Sequence, residues 1–262
     1  HVAPWLLSFD LPFIDTHIDT PAEAAVVVTI GIYALAALFN LRIPDTGARY
    51  PGRTSNPFTL LRIFWHCNLT LWRDPLGQIA LAVTTLFWGA GASLQFLVLK
   101  WAEHQLDMRL DQATRLQGVV ALGVALGAVL AAGWVPLRRS LRVLPLGVAM
   151  GFTIMLMTVV HNEAMAMLVL LVIGILSGFF VVPMNALLQH RGYVVMSAGN
   201  SIAVQNFNEN LNILVMLSFY ALMLWLDLPI NTVAVLFGLA VAGVMLLVIL
   251  WHRRNQRRFD SE

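Results

Sequence analysis

The chain has 262 residues, of which 59% are hydrophobic and 11% charged, with a net charge of +2 and a mean hydropathy of +0.76. A soluble domain carries about 25% charged residues and must cover its core with a polar shell. This composition excludes a soluble enzyme, a nucleic-acid binder and a disordered chain, and leaves an integral membrane protein. The sequence starts at His1, and its first twenty residues have no Lys or Arg and no small-residue cleavage site. They do not read as a signal peptide, and the sequence is expected to be a piece of something longer.

A membrane-crossing helix needs about 20 mostly apolar residues. Stretches free of Asp, Glu, Lys, Arg and His run over Ala24–Leu41, Pro75–Leu99, Leu116–Leu137, Val143–Val160, Ala164–Gln189 and Leu228–Trp251. A further one, Ser197–Leu226, is interrupted only by Glu209. The runs are continuously apolar and lack the in/out alternation of an outer-membrane barrel. They predict an all-α, polytopic fold with seven transmembrane helices. Pro183 falls inside the fifth, where membrane helices tolerate proline and often kink.

Lys and Arg alternate strongly between the connections. The first, third and fifth loops (Arg42 to Arg73, Arg138 to Arg142, and Arg191) carry most of them with the tail (Arg253, Arg254, Arg257, Arg258). The N-terminal segment has none; it holds Asp10, Asp15, Asp19 and Glu23. The positive-inside rule then puts the N-terminus outside and the C-terminus in the cytoplasm. The organisation read from this is an extracytoplasmic segment over residues 1–23, a lone helix at 24–41, a cytoplasmic linker at 42–74, six helices within 75–251 and a basic cytoplasmic tail at 252–262. The linker opens as an irregular stretch with Pro44, Gly47, Pro51, Gly52 and Pro57. Its second part, Pro57–Trp72, predicts an amphipathic surface helix with Leu60, Leu61, Phe64, Leu69 and Leu71 set against Arg62 and Arg73. One helix, a long basic linker and six helices look like half of a major facilitator transporter, with the lone helix ending a missing N-terminal half.

The sixth span is the most polar, with Asn200, Ser201, Gln205, Asn206, Asn208, Glu209, Asn210 and Asn212. At about 100° per residue, Gln205, Asn208, Glu209 and Asn212 share one face and Asn206 and Asn210 flank it. A carboxylate in the bilayer interior costs about 2.5–3.5 kcal/mol on insertion scales, so it faces a cavity or a partner. Two readings follow: a cavity wall that binds a polar head group or relays a proton, or interhelical hydrogen bonds that hold the bundle together. The second span carries Gln78, Thr85, Trp88, Ala92 and Gln95 at helical spacing, either a substrate-facing stripe with an aromatic platform or ordinary packing. Gly123 and Gly127 in the third span, and Gly174 and Gly178 in the fifth, form G-x-x-x-G patterns read as close helix packing. Asp15-Thr-His17-Ile-Asp19 lacks the further ligands of a metal site. Cys67 is the only cysteine, so no intramolecular disulfide forms. The triplet at Asn68 matches a glycosylation acceptor but lies on the predicted cytoplasmic side. No P-loop, nucleophile elbow or catalytic carboxylate pair is present, and no cofactor is expected. The basic clusters flank membrane segments and suit anionic membrane lipids rather than nucleic acid.

Several strings resemble one family. They are Ser177-Gly-Phe-Phe-Val-Val-Pro-Met-Asn-Ala-Leu-Leu-Gln189, Ala198-Gly-Asn-Ser-Ile-Ala-Val-Gln-Asn206, Leu86-Phe-Trp-Gly-Ala-Gly-Ala-Ser-Leu94 and Leu71-Trp-Arg73. The sequence resembles the lysophospholipid transporter family of the major facilitator superfamily, over its C-terminal half plus the preceding helix. The resemblance implies a transporter, not an enzyme, of the bacterial inner membrane. It would move lysophospholipids, chiefly lyso-phosphatidylethanolamine, to the inner leaflet, where an acyltransferase–acyl carrier protein synthetase restores the missing chain. It also brings Asn185, inside the first string, to the candidate substrate-binding residues Thr85, Trp88, Gln95, Gln205, Asn206 and Glu209. The family carries an arginine where this sequence has Gln95; a glutamine donates hydrogen bonds without charge. Two other readings stand beside this one: a proton-coupled exporter of a drug-like amphipathic solute, with Glu209 as proton carrier, and a seven-helix receptor or scaffold.

Overall fold

A computed structural model describes residues 21–43 and 56–259. The Asp15–Asp19 motif and the Pro44–Gly52 stretch lie outside the described residues. The chain divides into two compact units, residues 1–54 and residues 55–262. Among the described residues every regular element is helical. Seven helical segments among the described residues are long and apolar enough to cross a membrane, and the chain is an all-α, multi-pass membrane protein.

The first unit contributes α1 (Pro21–Asn40). It is apolar all round, with Val26, Ile30 and Tyr33 on one face and Val28, Ile32 and Phe39 on the opposite one, the pattern of a helix that needs lipid or another helix about it.

The second unit begins with α2 (Pro57–Arg73), started by Asn56, whose side chain accepts from the Phe58 N–H at 3.0 Å. Its packed face is Phe64, Cys67, Asn68 and Leu71, one helical stripe that rests on the bundle. Of the expected apolar residues, Phe64 and Leu71 rest on the bundle, while Leu60, Leu61 and Leu69 are exposed, where a membrane surface would meet them. Asn68 lies within the packed stripe and meets a polar partner there.

The bundle proper is α3 (Gly77–Leu106), α4 (Leu110–Trp134), α5 (Leu144–Met155), α6 (Glu163–Val195), α7 (Ala198–Trp225) and α8 (Ile230–Phe259). Short 3₁₀ segments at Leu137–Val143 and Leu156–Val159 flank α5 and complete the fourth span. The ends of α3 and α7 are made alike. Asp107 and Asp227 adopt the left-handed conformation (φ 51° and 53°). The next N–H then turns back, Met108 to the Ala102 carbonyl at 3.2 Å and Leu228 to the Met223 carbonyl at 3.3 Å. The five-residue return of Leu228 is the bond that closes a helix C-terminus, and that of Met108 reaches one residue further back. It carries α3 past Lys100, Glu103 and His104, seven residues beyond the apolar run. In α6 the helix continues through Pro183, which cannot donate to the carbonyl of Phe179.

Three helix pairs carry most of the packing: α4 with α6, α5 with α8, and α3 with α7. The two G-x-x-x-G patterns face each other. A Cβ on Gly123 would lie 2.9 Å from the Gly174 Cα, and one on Gly178 would lie 2.8 Å from the Ala128 backbone nitrogen and strike the Val124 carbonyl. Gly151 and Gly238 repeat this between α5 and α8, each facing the other's carbonyl oxygen. The buried apolar side chains form two clusters at opposite ends of the bundle. One contains Leu97, Trp101, Ile154, Leu170 and Phe237; the other Leu71, Ile79, Phe180, Met184, Val204 and Met245.

Candidate functional site

Polar groups collect where α2, α3, α6 and α7 meet. The α7 face predicted from helical spacing is the buried one: Asn208 and Glu209 are buried, Gln205 and Asn212 half-buried, and Asn206 and Asn210 exposed. Glu209 lies eleven residues into a 28-residue helix, about 17 Å from its start, near mid-membrane.

Gln205 is the hub. Its Nε2 donates to Glu209 Oε1 at 2.8 Å, one turn along the same helix, and to Asn185 Oδ1 at 3.1 Å on α6. One amide thus ties two helices together and holds the carboxylate. Among the described residues no cation pairs with Glu209; the ion pairs found there are Lys100–Glu103, Arg109–Asp111 and Arg191–Asp74. An unpaired intramembrane carboxylate held by an amide can accept a hydrogen bond from a polar ligand or carry a proton.

Beside this cluster lies a second one that sequence reasoning did not find. Trp72 Nε1 donates to Asn208 Oδ1 at 3.2 Å, and Asn208 Nδ2 donates to Asn68 Oδ1 and to the Val204 carbonyl, both at 2.8 Å. Trp72 also stacks on Trp251 of α8, centroids 6.3 Å apart, and Phe64 meets Phe207 edge to face at 5.1 Å. The available signal was Asn68 itself, an amide on the stripe that Phe64, Cys67 and Leu71 otherwise make apolar. Further along, Asn212 Nδ2 donates to the Thr85 carbonyl at 2.8 Å and fills the space over Gly89. Thr85 Oγ1 is buried without a hydrogen-bond partner.

The remaining expected residues are placed differently. Trp88 is 45% exposed and meets Phe87 edge to face. Asn206 is exposed, its carbonyl accepting from Asn210 Nδ2 at 2.7 Å. Gln95 is exposed, and its carbonyl accepts from Gln117 Nε2 of α4 at 2.7 Å. Gln95 lies six residues beyond Gly89, and Gly89 already stands level with Asn212. Gln95 is therefore more than two turns past Glu209 along the bundle, and these contacts bring it to neither Gln205 nor Glu209. The structure unites Asn185, Gln205 and Glu209, ties the Thr85 carbonyl to Asn212 rather than to that cluster, and leaves Trp88, Gln95 and Asn206 on open faces.

At one end of the bundle Asp74 joins three elements. Its Oδ2 accepts from the Gly77 N–H at 2.7 Å, starting α3, and from Arg191 Nε at 2.9 Å, while Arg191 Nη2 holds the other oxygen. Burial pushes the Asp74 carboxyl up. The hydrogen bonds from Arg191, Gly77 and Leu76 and the guanidinium charge outweigh it and hold the carboxyl below the ordinary carboxylate range.

No family profile matches the chain. Individual proteins do. The chain is 38% identical over 225 residues to a "Lysophospholipid transporter LplT" of Escherichia coli O157:H7 (strain EC4115 / EHEC), a match covering 85% of the chain and 56% of the relative. It is 37% identical over 233 residues to the proteins of the same name from Escherichia coli O1:K1 / APEC and Escherichia coli O81 (strain ED1a), covering 88% of the chain and 58% of each relative. The chain therefore spans a little over half the length of the curated relatives it matches. On this likeness it resembles the LplT proteins over most of its own length.

Proposed function

We propose that this chain is part of a secondary transporter that moves lysophospholipids, of the lyso-phosphatidylethanolamine class, across a bacterial inner membrane towards the cytoplasmic leaflet. On this reading residues 75–251 are the C-terminal six-helix half of a major facilitator fold, α1 closes the N-terminal half, and the tail lies in the cytoplasm. An acyltransferase–acyl carrier protein synthetase would then consume the cargo. The observation that carries the reading is the Gln205 bridge between Asn185 and Glu209 in mid-membrane, within a sequence aligned with proteins named as lysophospholipid transporters. A zwitterionic head group needs such a polar path while its acyl chain stays beside apolar helix faces.

The test is uptake and reacylation of radiolabelled lyso-phosphatidylethanolamine by spheroplasts that lack their own transporter and express the intact protein. No restored uptake would sink the proposal. In the same assay Glu209→Gln is expected to lower transport about tenfold or more, the worth of one charged hydrogen bond. Its melting temperature should stay near that of the parent, since the side chain is isosteric. Gln95→Arg is expected to leave the preference between anionic and zwitterionic lysolipids unchanged, because Gln95 is exposed and lies more than two turns from Glu209. A raised preference for anionic lysolipids would bring Gln95 to the head group after all.

The lack of a cation beside Glu209 among the described residues favours a second reading, proton-coupled export of an amphipathic solute with this carboxyl as carrier. That reading requires transport to collapse with the pH gradient and to lose its gradient dependence in Glu209→Gln.

A further inference from the structure

A cavity of about 510 Å3 opens at the end of the bundle away from Asp74, at the corner of α3, α4 and α7. Its volume falls in the range of sites that hold small molecules. Its lining is divided by chemistry. Phe96, Leu99, Leu110, Ala113, Tyr220 and Leu224 make an apolar floor and wall, while Lys100, Glu103 and Arg109 stand together at the rim.

The depth follows from helix geometry. Lys100 lies 23 residues into α3, about 35 Å from its start, beyond the roughly 30 Å hydrocarbon core of a bilayer. Phe96 is one turn deeper, within the core. The cavity therefore straddles the boundary between head groups and acyl chains, charged at the outer level and apolar at the inner.

The rim offers both signs of charge. Lys100 Nζ lies 3.2 Å from Glu103 Oε2, and Arg109 Nε lies 3.5 Å from Asp111 Oδ1. All four side chains are more than 40% exposed, and such exposed pairs contribute little. A ligand with a matching pair of charges exchanges with them at small cost. The N-terminus of the 25-residue α4 begins at Leu110 in the cavity wall and adds partial positive charge on the side of Arg109. The site thus offers Lys100 and Arg109 to an anion, with Asp111 in the first turn of α4 offsetting part of the positive charge on the Arg109 side, and the Glu103 carboxylate to a cation beside it.

We propose that this corner is a head-group docking site for a phospholipid bearing a phosphate and a primary ammonium. Lys100 and Arg109 take the phosphate, Glu103 takes the ammonium, and the first part of one acyl chain lies on Phe96, Leu99 and Leu224. The site is separate from the Gln205–Glu209 bridge, and it acts as an outer station for the cargo only if the lysophospholipid reading holds. Glu103 is the residue that separates an ethanolamine head from a glycerol head, which has no cation to offer.

The experiment uses the intact protein in phosphatidylcholine vesicles with a lyso-phosphatidylethanolamine carrying a diazirine on its acyl chain. Covalent labelling, mapped by mass spectrometry, is expected on residues 96–113 and 220–224. Unlabelled lyso-phosphatidylethanolamine should compete about fivefold better than lyso-phosphatidylglycerol, and Glu103→Gln should abolish that difference. Glycerophosphoethanolamine and inorganic phosphate should compete poorly. If either competes as well as the lysolipid, the site binds a soluble head group or a free phosphate and the lipid assignment is overturned. Labelling confined to other helices, or an undiminished head-group preference in Glu103→Gln, overturns the site and leaves transport standing. Corner labelling in a protein that transports no lysolipid overturns the transport reading and leaves the site.

Discussion

Replacing Gly178 by alanine is expected to destabilise the bundle by about 3 kcal/mol or to prevent its assembly, whereas the same change at Gly133 is expected to be neutral or slightly stabilising. Both glycines sit in the α4–α6 pair, and a helix-propensity argument treats them alike, favouring alanine by about 1 kcal/mol. Their surroundings differ. A Cβ at Gly133 meets nothing within 4 Å. One at Gly178 strikes the Val124 carbonyl and comes within 2.8 Å of the Ala128 nitrogen. Both obstacles are backbone, so no rotamer change relieves them and the two helices must move apart. That separation would also strip contacts at Gly123, Gly127 and Gly174, which occupy the same seam. Thermal unfolding in detergent, followed by recovery of monodisperse protein, checks the pair. Equal melting of Gly178→Ala and the parent would mean that α4 and α6 do not approach this closely.

The seam also shows where sequence reading stops. Each G-x-x-x-G pattern was visible alone, and close packing was the correct expectation for both. That they are each other's partners is a fact about two segments fifty residues apart, which a single sequence does not display. The helices themselves were legible because hydrophobicity along the chain is set by the bilayer. Their ends were less so. The end of α3 was expected at Leu99, since Lys100, Glu103 and His104 break the apolar run, but a helix leaving the hydrocarbon can continue through the interface. It stops where Asp107 turns left-handed. On α7 the spacing of Gln205 and Glu209 made their shared face readable, because neighbours one turn apart meet whatever the tertiary fold. Asn68 reads in the sequence only as part of a glycosylation triplet, and its burial against Asn208, 140 residues away, depends on α2 docking. Gln95 shares a helical stripe with Thr85, yet a stripe 10 residues long covers about 15 Å, and its two ends meet different surroundings.

Loss of the Asp74 carboxylate is expected to cost about 3 kcal/mol and to loosen α2 specifically. Asp74 is half-buried, with only 8% of its side chain exposed, and the Arg191 side chain is 26% exposed. Truncating one member of a buried pair leaves the other charge uncompensated, a loss of about 3–5 kcal/mol, and the exposure of Arg191 puts this pair at the low end. Asp74→Ala also removes the acceptor of the Gly77 N–H at the start of α3. Asp74→Asn can keep that acceptor and should cost about 1 kcal/mol less. The sign of the pH dependence follows from the lowered carboxyl. The stabilisation is complete above the unfolded carboxylate range of about pH 4 and is lost as pH falls through the lower folded value. The melting gap between the parent and Asp74→Asn should therefore be constant from pH 7 to 5 and close only in stronger acid. Cys67 supplies the local readout. It is the chain's single cysteine, buried on the packed face of α2, and the Asp74 clamp lies just past the end of that helix. If the clamp holds α2 down, Asp74→Ala will speed maleimide labelling of Cys67 at temperatures well below global unfolding. Labelling that accelerates only when the whole bundle melts would mean that Asp74 stabilises α3 and α6 without fastening α2. The contacts of Asn68 and Trp72 with Asn208 would then be enough to hold α2 in place.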